Sequence, residues 1–434
     1  MRAGQALTLV ATVALPVVVA SCHRGGLPPR PDGAAVVVTA EQTDDGAPTT
    51  AEAEPNDTAA AAQRLALTET TAAAVAGDLA ARGAKRDTDL FRVETPQGDA
   101  GAGGQRGDAG PLPPRLVLRV DLRPGAGLAV ALDALDQAGH LLVAAAGGAG
   151  EAIAIPNLAV TGGVVLLRVR AVGPEGATPS YRLAARLVVF DTGAEIEPNG
   201  DAAHAGELPL GGEAVGYLGW HRDQDWYRLG TAGAADGSLL SADLDPVADV
   251  AATLQLLDAD SHKLSEARGR KGERVALRNV RIPAGAPSVF LVVKAEAGWS
   301  GTARYNLRSR AELPRAGTEA EPNDDVAHAQ PVEDGTALGY LARGDVDVYR
   351  YTTAGIALLD VEVEPPERES VQVELLREDG TLLARADSGR HVPARISGAS
   401  IPGGPVFVRV SPRRGAVNAD EPYRLTITSR PPGT

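Results

Sequence analysis

Three short acidic phrases carry the densest chemistry in the chain: AEAEPNDTAAAAQ at 51–63, AEIEPNGDAAHAG at 194–206 and TEAEPNDDVAHAQ at 318–330. Each places two glutamates one residue apart, then proline, then asparagine. On an extended backbone, residues i and i+2 lie on the same side, so both carboxylates of a pair face one way. Pro55, Pro198 and Pro322 stiffen the backbone just beyond them. Further along, each phrase is followed by an acid pair running into an aromatic stretch: DTDLFRV at 87–93, DQDWYRL at 223–229 and DVDVYRY at 345–351. If that stretch starts beside the phrase, several carboxylates converge. Like charges that close raise one another's pKa unless a cation neutralises them.

Elements must exist to bring these residues together, and the landmarks around them repeat in a fixed order. After each phrase come a glycine and a leucine: Gly77-Asp78-Leu79, Gly216-Tyr217-Leu218 and Gly339-Tyr340-Leu341. Beyond the acid pair lies a hairpin-like piece: LDQAGHLL at 135–142, LDADSHKL at 257–264 and LREDGTLL at 376–383. Each unit closes on a tyrosine strand at Tyr181-Arg182-Leu183, Tyr305-Asn306-Leu307 and Tyr423-Arg424-Leu425. Four ordered landmarks seen three times mark tandem copies of one domain, at 51–190, 191–312 and 313–434. Within a copy the hydrophobic period is two. Leu116, Leu118, Val120 and Leu122 share one face, as do Val371, Val373 and Leu375. Short alternating runs, frequent turns and no long helical stretch predict an all-β chain of three antiparallel β-sandwiches. The one helical hint is a single turn after each phrase, capped by Asn56-Asp57 or Asn323-Asp324. The Gly/Pro-rich stretch 95–115 reads as a mobile loop inserted between two strands of the first copy.

The chain has 434 residues, 3% aromatics, 50 glycines and a formal charge of −14. This suits several modest cores rather than one large one. So acidic a chain is a poor candidate for nucleic-acid binding, which needs clustered Lys and Arg. Its one cysteine, Cys22, excludes an internal disulfide. The opening MRAGQALTLVATVALPVVVASC has a positive start and an apolar run too short to cross a bilayer, which takes roughly 20 residues. It reads as a signal peptide over 1–21. Val19-Ala20-Ser21-Cys22 resembles a bacterial lipobox, which implies cleavage before Cys22 and lipidation of its thiol. Residues 22–50 then form a disordered tether with a reach of roughly 30 Å. The mature chain is expected in the cell envelope, held to the membrane by lipid alone. His23 after the cysteine favours the outer membrane, on its periplasmic or surface face.

The order E-x-E-P-N-D, glycine, D-x-D and aromatic strand resembles the bacterial pre-peptidase C-terminal (PPC) domain family, and the resemblance covers nearly all of the chain beyond the tether. Members are β-sandwiches of jelly-roll type, often attached to secreted peptidases, and in some clostridial collagenases the similar domain binds collagen and carries calcium near its N-terminal segment. The resemblance therefore implies calcium as a cofactor. Calcium takes six to eight oxygen ligands from carboxylates, amide carbonyls and backbone. Carried onto this sequence, the candidate ligands are Glu52, Glu54, Asn56, Asp57, Asp87 and Asp89 in copy one. In copy two they are Glu195, Glu197, Asn199, Asp223 and Asp225, and in copy three Glu319, Glu321, Asn323, Asp324, Asp345 and Asp347. Copy two departs from the pattern, with Gly200 where the others have aspartate, so it is expected to bind a cation most weakly. Arg86 and Arg222, three residues before the second Asp of the pair, could compete with a cation for the same carboxylates.

Little else suggests catalysis. There is no H-E-x-x-H and no G-x-x-x-x-G-K-[ST]. GWSGT at 298–302 resembles a G-x-S-x-G elbow but has Thr302 in place of glycine. His204 and His328 recur after their phrases, and copy one has Ala61 there. The expectation is a non-catalytic, lipid-anchored protein that binds or scaffolds a protein or glycan partner. The alternatives are an accessory subunit that anchors a secreted peptidase and, behind it, an unrecognised hydrolase.

Overall fold

The computed structural model describes residues 47–79, 87–95, 116–160, 163–172, 179–389, 392–413 and 418–433. The expected signal peptide, Cys22, most of the expected tether and the stretch 96–115 lie outside the described residues. All regular structure among the described residues is β.

The first copy contributes ten strands: β1 (Thr49–Ala51), β2 (Gln63–Leu65), β3 (Ala73–Asp78), β4 (Thr88–Thr95), β5 (Leu116–Pro124), β6 (Val130–Leu135), β7 (Leu141–Ala146), β8 (Ile153–Ala159), β9 (Gly163–Ala171) and β10 (Ser180–Val189). The second has β11 (Gly206–Glu207), β12 (Glu213–Leu218), β13 (Gln224–Gly230), β14 (Leu239–Leu244), β15 (Ala251–Leu257), β16 (Lys263–Arg268), β17 (Val275–Arg281), β18 (Ser288–Ala297) and β19 (Ser300–Glu312). The third has β20 (Gln330–Pro331), β21 (Thr336–Leu341), β22 (Asp347–Thr353), β23 (Ala357–Glu364), β24 (Val371–Leu376), β25 (Leu382–Asp387), β26 (Ala394–Ile401), β27 (Gly404–Pro412) and β28 (Asn418–Arg430).

Each copy is a sandwich of two sheets. One runs β1-β3-β10-β5-β8, β12-β19-β14-β17 or β21-β28-β23-β26, and the other runs β2-β4-β9-β6-β7, β11-β13-β18-β15-β16 or β20-β22-β27-β24-β25. The strand order is the same three times, as the repeated landmarks require. The period-two pattern meets in the middle. Leu118, Val120 and Leu122 of the first core, Leu254 and Leu256 of the second, and Val371, Val373 and Leu375 of the third are fully buried. Each such side chain contributes roughly 1.5–3 kcal/mol by leaving water.

Two expectations need correction. Strand β1 begins at Thr49 and pairs in parallel with β3, so residues 49 and 50 belong to the first sandwich rather than to the tether. No helix follows the phrases. A hydrogen-bonded turn stands there, and its cap lies one residue beyond Asp57, Gly200 or Asp324. Thr58 Oγ1 accepts the Ala61 N–H, Asp201 accepts those of Ala203 and His204, and Asp325 accepts that of His328. Asn56 and Asn323 are free of capping because they point into the acidic cluster. Of the stretch 95–115, Thr95 closes β4, and 96–115, which lead to β5, lie outside the described residues.

The phrases also join the sandwiches. In the second phrase, Glu195 N–H bonds Val215 O of its own sandwich, while Glu197 N–H bonds Asn157 O of the first and Glu197 O accepts the Ala159 N–H. The third phrase repeats this: Glu319 N–H bonds Leu338 O, Glu321 N–H bonds Asn279 O, and Glu321 O accepts the Arg281 N–H. The second and third phrases are thus each a short parallel splice between an edge strand of the preceding sandwich (β8 or β17) and the first strand of its own sheet (β12 or β21). Three sheets lie edge to edge through these splices.

Candidate metal centres at the acidic phrases

The phrase is pinned on both sides, and that determines what its acids meet. Asn56 O, Asn199 O and Asn323 O accept the N–H groups of Leu90, Trp226 and Val348, which ties the phrase to the strand carrying the second acid pair. One oxygen of the first glutamate is committed to the glycine-bearing strand: Glu52 Oε2 accepts Asp78 N–H at 2.7 Å, Glu195 Oε1 accepts Tyr217 N–H at 2.9 Å, and Glu319 Oε1 accepts Tyr340 N–H at 2.8 Å. One oxygen of the second glutamate accepts the asparagine N–H two residues on, at 2.9–3.0 Å in all three copies.

The acid pair divides its labour. The first aspartate serves backbone amides at the strand entrance, as Asp223 does for Gly219 N–H (2.6 Å) and Asp345 for Ala342 N–H (3.0 Å). The second accepts the hydroxyl of the closing tyrosine strand: Tyr181 to Asp89 at 2.5 Å, Tyr305 to Asp225 at 2.7 Å, Tyr423 to Asp347 at 2.8 Å. In copies two and three a further tyrosine, Tyr227 or Tyr349, lies 2.6 Å from that hydroxyl. Copy one has Phe91 there, packed edge-on against Tyr181.

These bonds do not reach every oxygen of the clusters. Ligand oxygens of Glu52, Glu54, Asp87 and Asp89 lie within 4.8 Å of one another, as do those of Glu195, Glu197 and Asp225, and of Glu319, Glu321 and Asp347. Buried oxygens without a hydrogen-bond partner converge there: Asn56 Oδ1 and Asp89 Oδ1 in copy one, Asn199 Oδ1, Asp223 Oδ1 and Asp225 Oδ1 in copy two, and Glu319 Oε2, Glu321 Oε1, Asn323 Oδ1 and Asp347 Oδ1 in copy three. Buried acceptors left unpaired are costly, and a hard cation satisfies several at once. The donor set is all oxygen, as calcium prefers. At the third cluster a cavity of about 30 Å³ borders Glu319, Glu321, Tyr340 and Asp345.

The electrostatics carry the same message. Burial pushes Glu52 and Asp89 up to about 7, and Asp225 and Asp345 up to about 6. Burial, then the charges of Asp345 and Asp347, take Glu321 up to about 10. Glu195, Glu197, Asp223, Glu319 and Asp347 are held well above the ordinary carboxylate range by burial first and by repulsion from their neighbours second. No Lys or Arg among the described residues forms an ion pair with the acids of the second and third clusters. Arg222 is exposed, with a left-handed φ of 62°, and does not compete for them.

Asp57 and Asp324 are outside the grouped acids. Asp324 is exposed, its pKa raised by partial burial and by Asp325. The glycine at position 200 therefore removes no grouped acid from the second cluster, although in the third the charge of Asp324 helps raise Glu321 and Asp345. The acids of the second cluster are all but fully buried. The partners that sequence reasoning missed are Tyr181, Tyr305 and Tyr423, with Gly77, Gly216 and Gly339. A Cβ on any of these glycines would collide with the tyrosine ring, and at Gly77 and Gly339 with the first glutamate as well. Both residue types were visible as repeat landmarks, with no signal that they touch the acids. A fourth acidic group, Asp258, Asp260 and His262, sits exposed on the β15–β16 hairpin, where Asp258 already accepts the Asp260 and His262 amides.

The remaining sequence candidates are structural. His204 and His328 are exposed and bond Asp201 and Asp325 at 2.8 Å. Ser300 Oγ accepts the Ala303 N–H in a strand turn rather than standing on a nucleophile elbow.

No family model matches the chain, and no curated protein matches it. Solved structures with some likeness include the CUB1-EGF-CUB2 region of human MASP-1/3, at 9% identity and a TM-score of 0.16, covering 51% of this chain and 93% of that one. Another is the triple jelly-roll protein of an archaeal virus turret, at 8% identity and a TM-score of 0.18, covering 72% and 77%. The insecticidal delta-endotoxin Cry8Ea1 of Bacillus thuringiensis follows at 9% identity and 0.16, covering 78% and 59%. Scores this low leave the sandwich assignment resting on strand order.

Proposed function

We propose that this chain is a non-catalytic, lipid-anchored protein of the cell envelope whose three PPC-like sandwiches each hold a calcium ion and together present a rigid surface to a protein or glycan partner. The observation that carries the cation is threefold: the same grouped carboxylates beside a buried asparagine, with buried oxygens left without donors, recur at each phrase. Glu52, Glu54, Asn56, Asp87 and Asp89 would hold the first ion. Glu195, Glu197, Asn199 and Asp225 would hold the second, and Glu319, Glu321, Asn323 and Asp347 the third. A bound cation supplies the positive charge that lets these acids ionise while buried. The chain's own residues do the rest: Tyr181, Tyr305 and Tyr423 orient the aspartates, and the phrase backbone fixes the glutamates.

The second and third ions would sit where one sandwich is spliced to the next, so cation binding would stiffen the scaffold as well as each domain. The test is calorimetry on residues 44–434, the compact unit that holds all three cores. Calcium should bind at about three sites and raise the melting temperature, and chelator should reverse the rise. Melting unchanged by either would remove the cation from the reading.

A further inference from the structure

The splice between sandwiches is made twice, and its two halves are present a third time at the ends of the array. The rungs Val120–Ile155, Ala242–Leu277 and Val361–Ile396 are equivalent. Past the register shift that follows each, the next rungs are Leu118–Leu158, Leu240–Val280 and Leu359–Ala399. Ala399 of β26 therefore occupies the place of Leu158 and Val280, the residues that bridge to the next phrase. Gly398 and Ser400 occupy the places of Asn157 and Ala159, and of Asn279 and Arg281, whose C=O and N–H hold that phrase. The backbone matches the second splice most closely: Asn279 and Gly398 share a left-handed φ, 51° and 63°, which Asn157 does not. Ser400 is exposed, and Gly398 and Ala399 are half-buried. Strand β26 ends its sheet, and among the described residues no strand pairs with its outer side.

The first phrase has the build of the other two. Glu52 N–H bonds Ala76 O, as Glu195 N–H bonds Val215 O, and Asn56 O accepts the Leu90 N–H. It differs in cover. Glu197 and Glu321 are 2% and 7% exposed beneath the preceding sandwich, whereas Glu52 and Glu54 are half-buried.

We propose that the outer edge of β26 accepts the first phrase, Glu52-Ala53-Glu54-Pro55-Asn56, of a second copy of this chain, joining copies head to tail through a third version of the internal splice. An open edge strand is a template for such pairing. The two surfaces differ, so the contact is heterologous and propagates into open assemblies unless the rotation closes a ring. The inference rests on backbone equivalence and does not require a cation.

Sedimentation velocity on residues 44–434 tests it. The weight-average mass should rise above the monomer between about 10 µM and 1 mM, a range suited to a small, mostly main-chain contact. Ser400→Pro removes the outward N–H at an edge position that tolerates proline, and should return the chain to monomer with its melting temperature unchanged. If that variant fails to fold, a peptide spanning residues 49–58 decides instead, since added in excess it should cap β26 and dissolve the wild-type assemblies. A wild-type chain monomeric throughout the range overturns the proposal, even if it binds the peptide, because a different E-x-E-P-bearing partner would then fill the edge. Association that survives both Ser400→Pro and the peptide overturns it as well.

Discussion

Trp220 and Arg343 each lie four residues beyond the landmark glycine of their sandwich, Gly216 or Gly339, and they stand at two different junctions built on one backbone splice. Trp220 is buried against the core of the first sandwich. Around it, His221 N–H bonds Ala146 O, Ala154 N–H bonds Gly219 O, and Trp299 Nε1 donates to Ala152 O at 2.9 Å. Gly301 is there because a Cβ would collide with Ala154. Arg343 instead reaches Glu273 at 2.8 Å, in a junction built on charge. Buried Arg278 donates to Ala419 O at 2.7 Å and to Asp243 at 2.7 Å, while Arg274 bonds Asp420 and Asp243. The splice supplies register in both junctions. The side chains beside it decide whether the joint is held by apolar burial, which salt barely screens, or by ion pairs, which salt weakens.

The largest break in this comparison is Trp220→Ala. It should cost about 3–5 kcal/mol, the usual loss for a buried aromatic, and the cost should not change with salt. Arg278→Ala should cost less, about 2–3 kcal/mol, because Arg274 still faces Asp243, and its cost should shrink as salt rises. Calorimetric scans of both variants at low and high salt separate the two; equal salt dependence would erase the distinction.

A pH titration sharpens it next. The cluster acids have folded pKa values raised above their unfolded values near 4, so the stability they contribute is complete below pH 4 and lost as pH rises through the folded values. Those are about 6 for Asp225 and Asp345 and about 7 for Glu52 and Asp89. In chelator, the melting temperature should fall by roughly 5 °C between pH 5 and 8, and calcium should abolish the fall. Asp243 behaves oppositely. Burial alone would raise it, yet Arg278 and Arg274 hold it below the usual range, so its contribution to the second junction is lost only as pH falls through that lowered value.

The smallest expected effect is that of Gly200→Asp. It restores the repeat's aspartate at a position outside the grouped acids, and should shift calcium affinity and stability by less than about 0.5 kcal/mol. A tenfold gain in affinity at the second site, read by calorimetric titration, would return that position to the ligand set.

Much of this molecule was legible because it is local and repeated. Period-two runs such as Val371, Val373 and Leu375 dictate strands, four ordered landmarks dictate three copies, and E-x-E followed by D-x-D marks where acids gather. Cap positions were misjudged because Asp57 and Thr58 are both plausible caps. The choice depends on Asn56 being drawn into the cluster by the Leu90 amide, a contact from a strand more than thirty residues away.

By itself, the sequence determined the strands, the repeat and the acidity of each phrase, since these follow from residue type and near-neighbour spacing. Tertiary structure decided that Gly77, Gly216 and Gly339 make room for the tyrosine that orients each aspartate. It also decided that the backbone of Glu197 and of Glu321 bonds the preceding sandwich while the side chain stays in its own. Both depend on which edges meet in space, and no spacing along one chain encodes that until the sheets have closed around their cores.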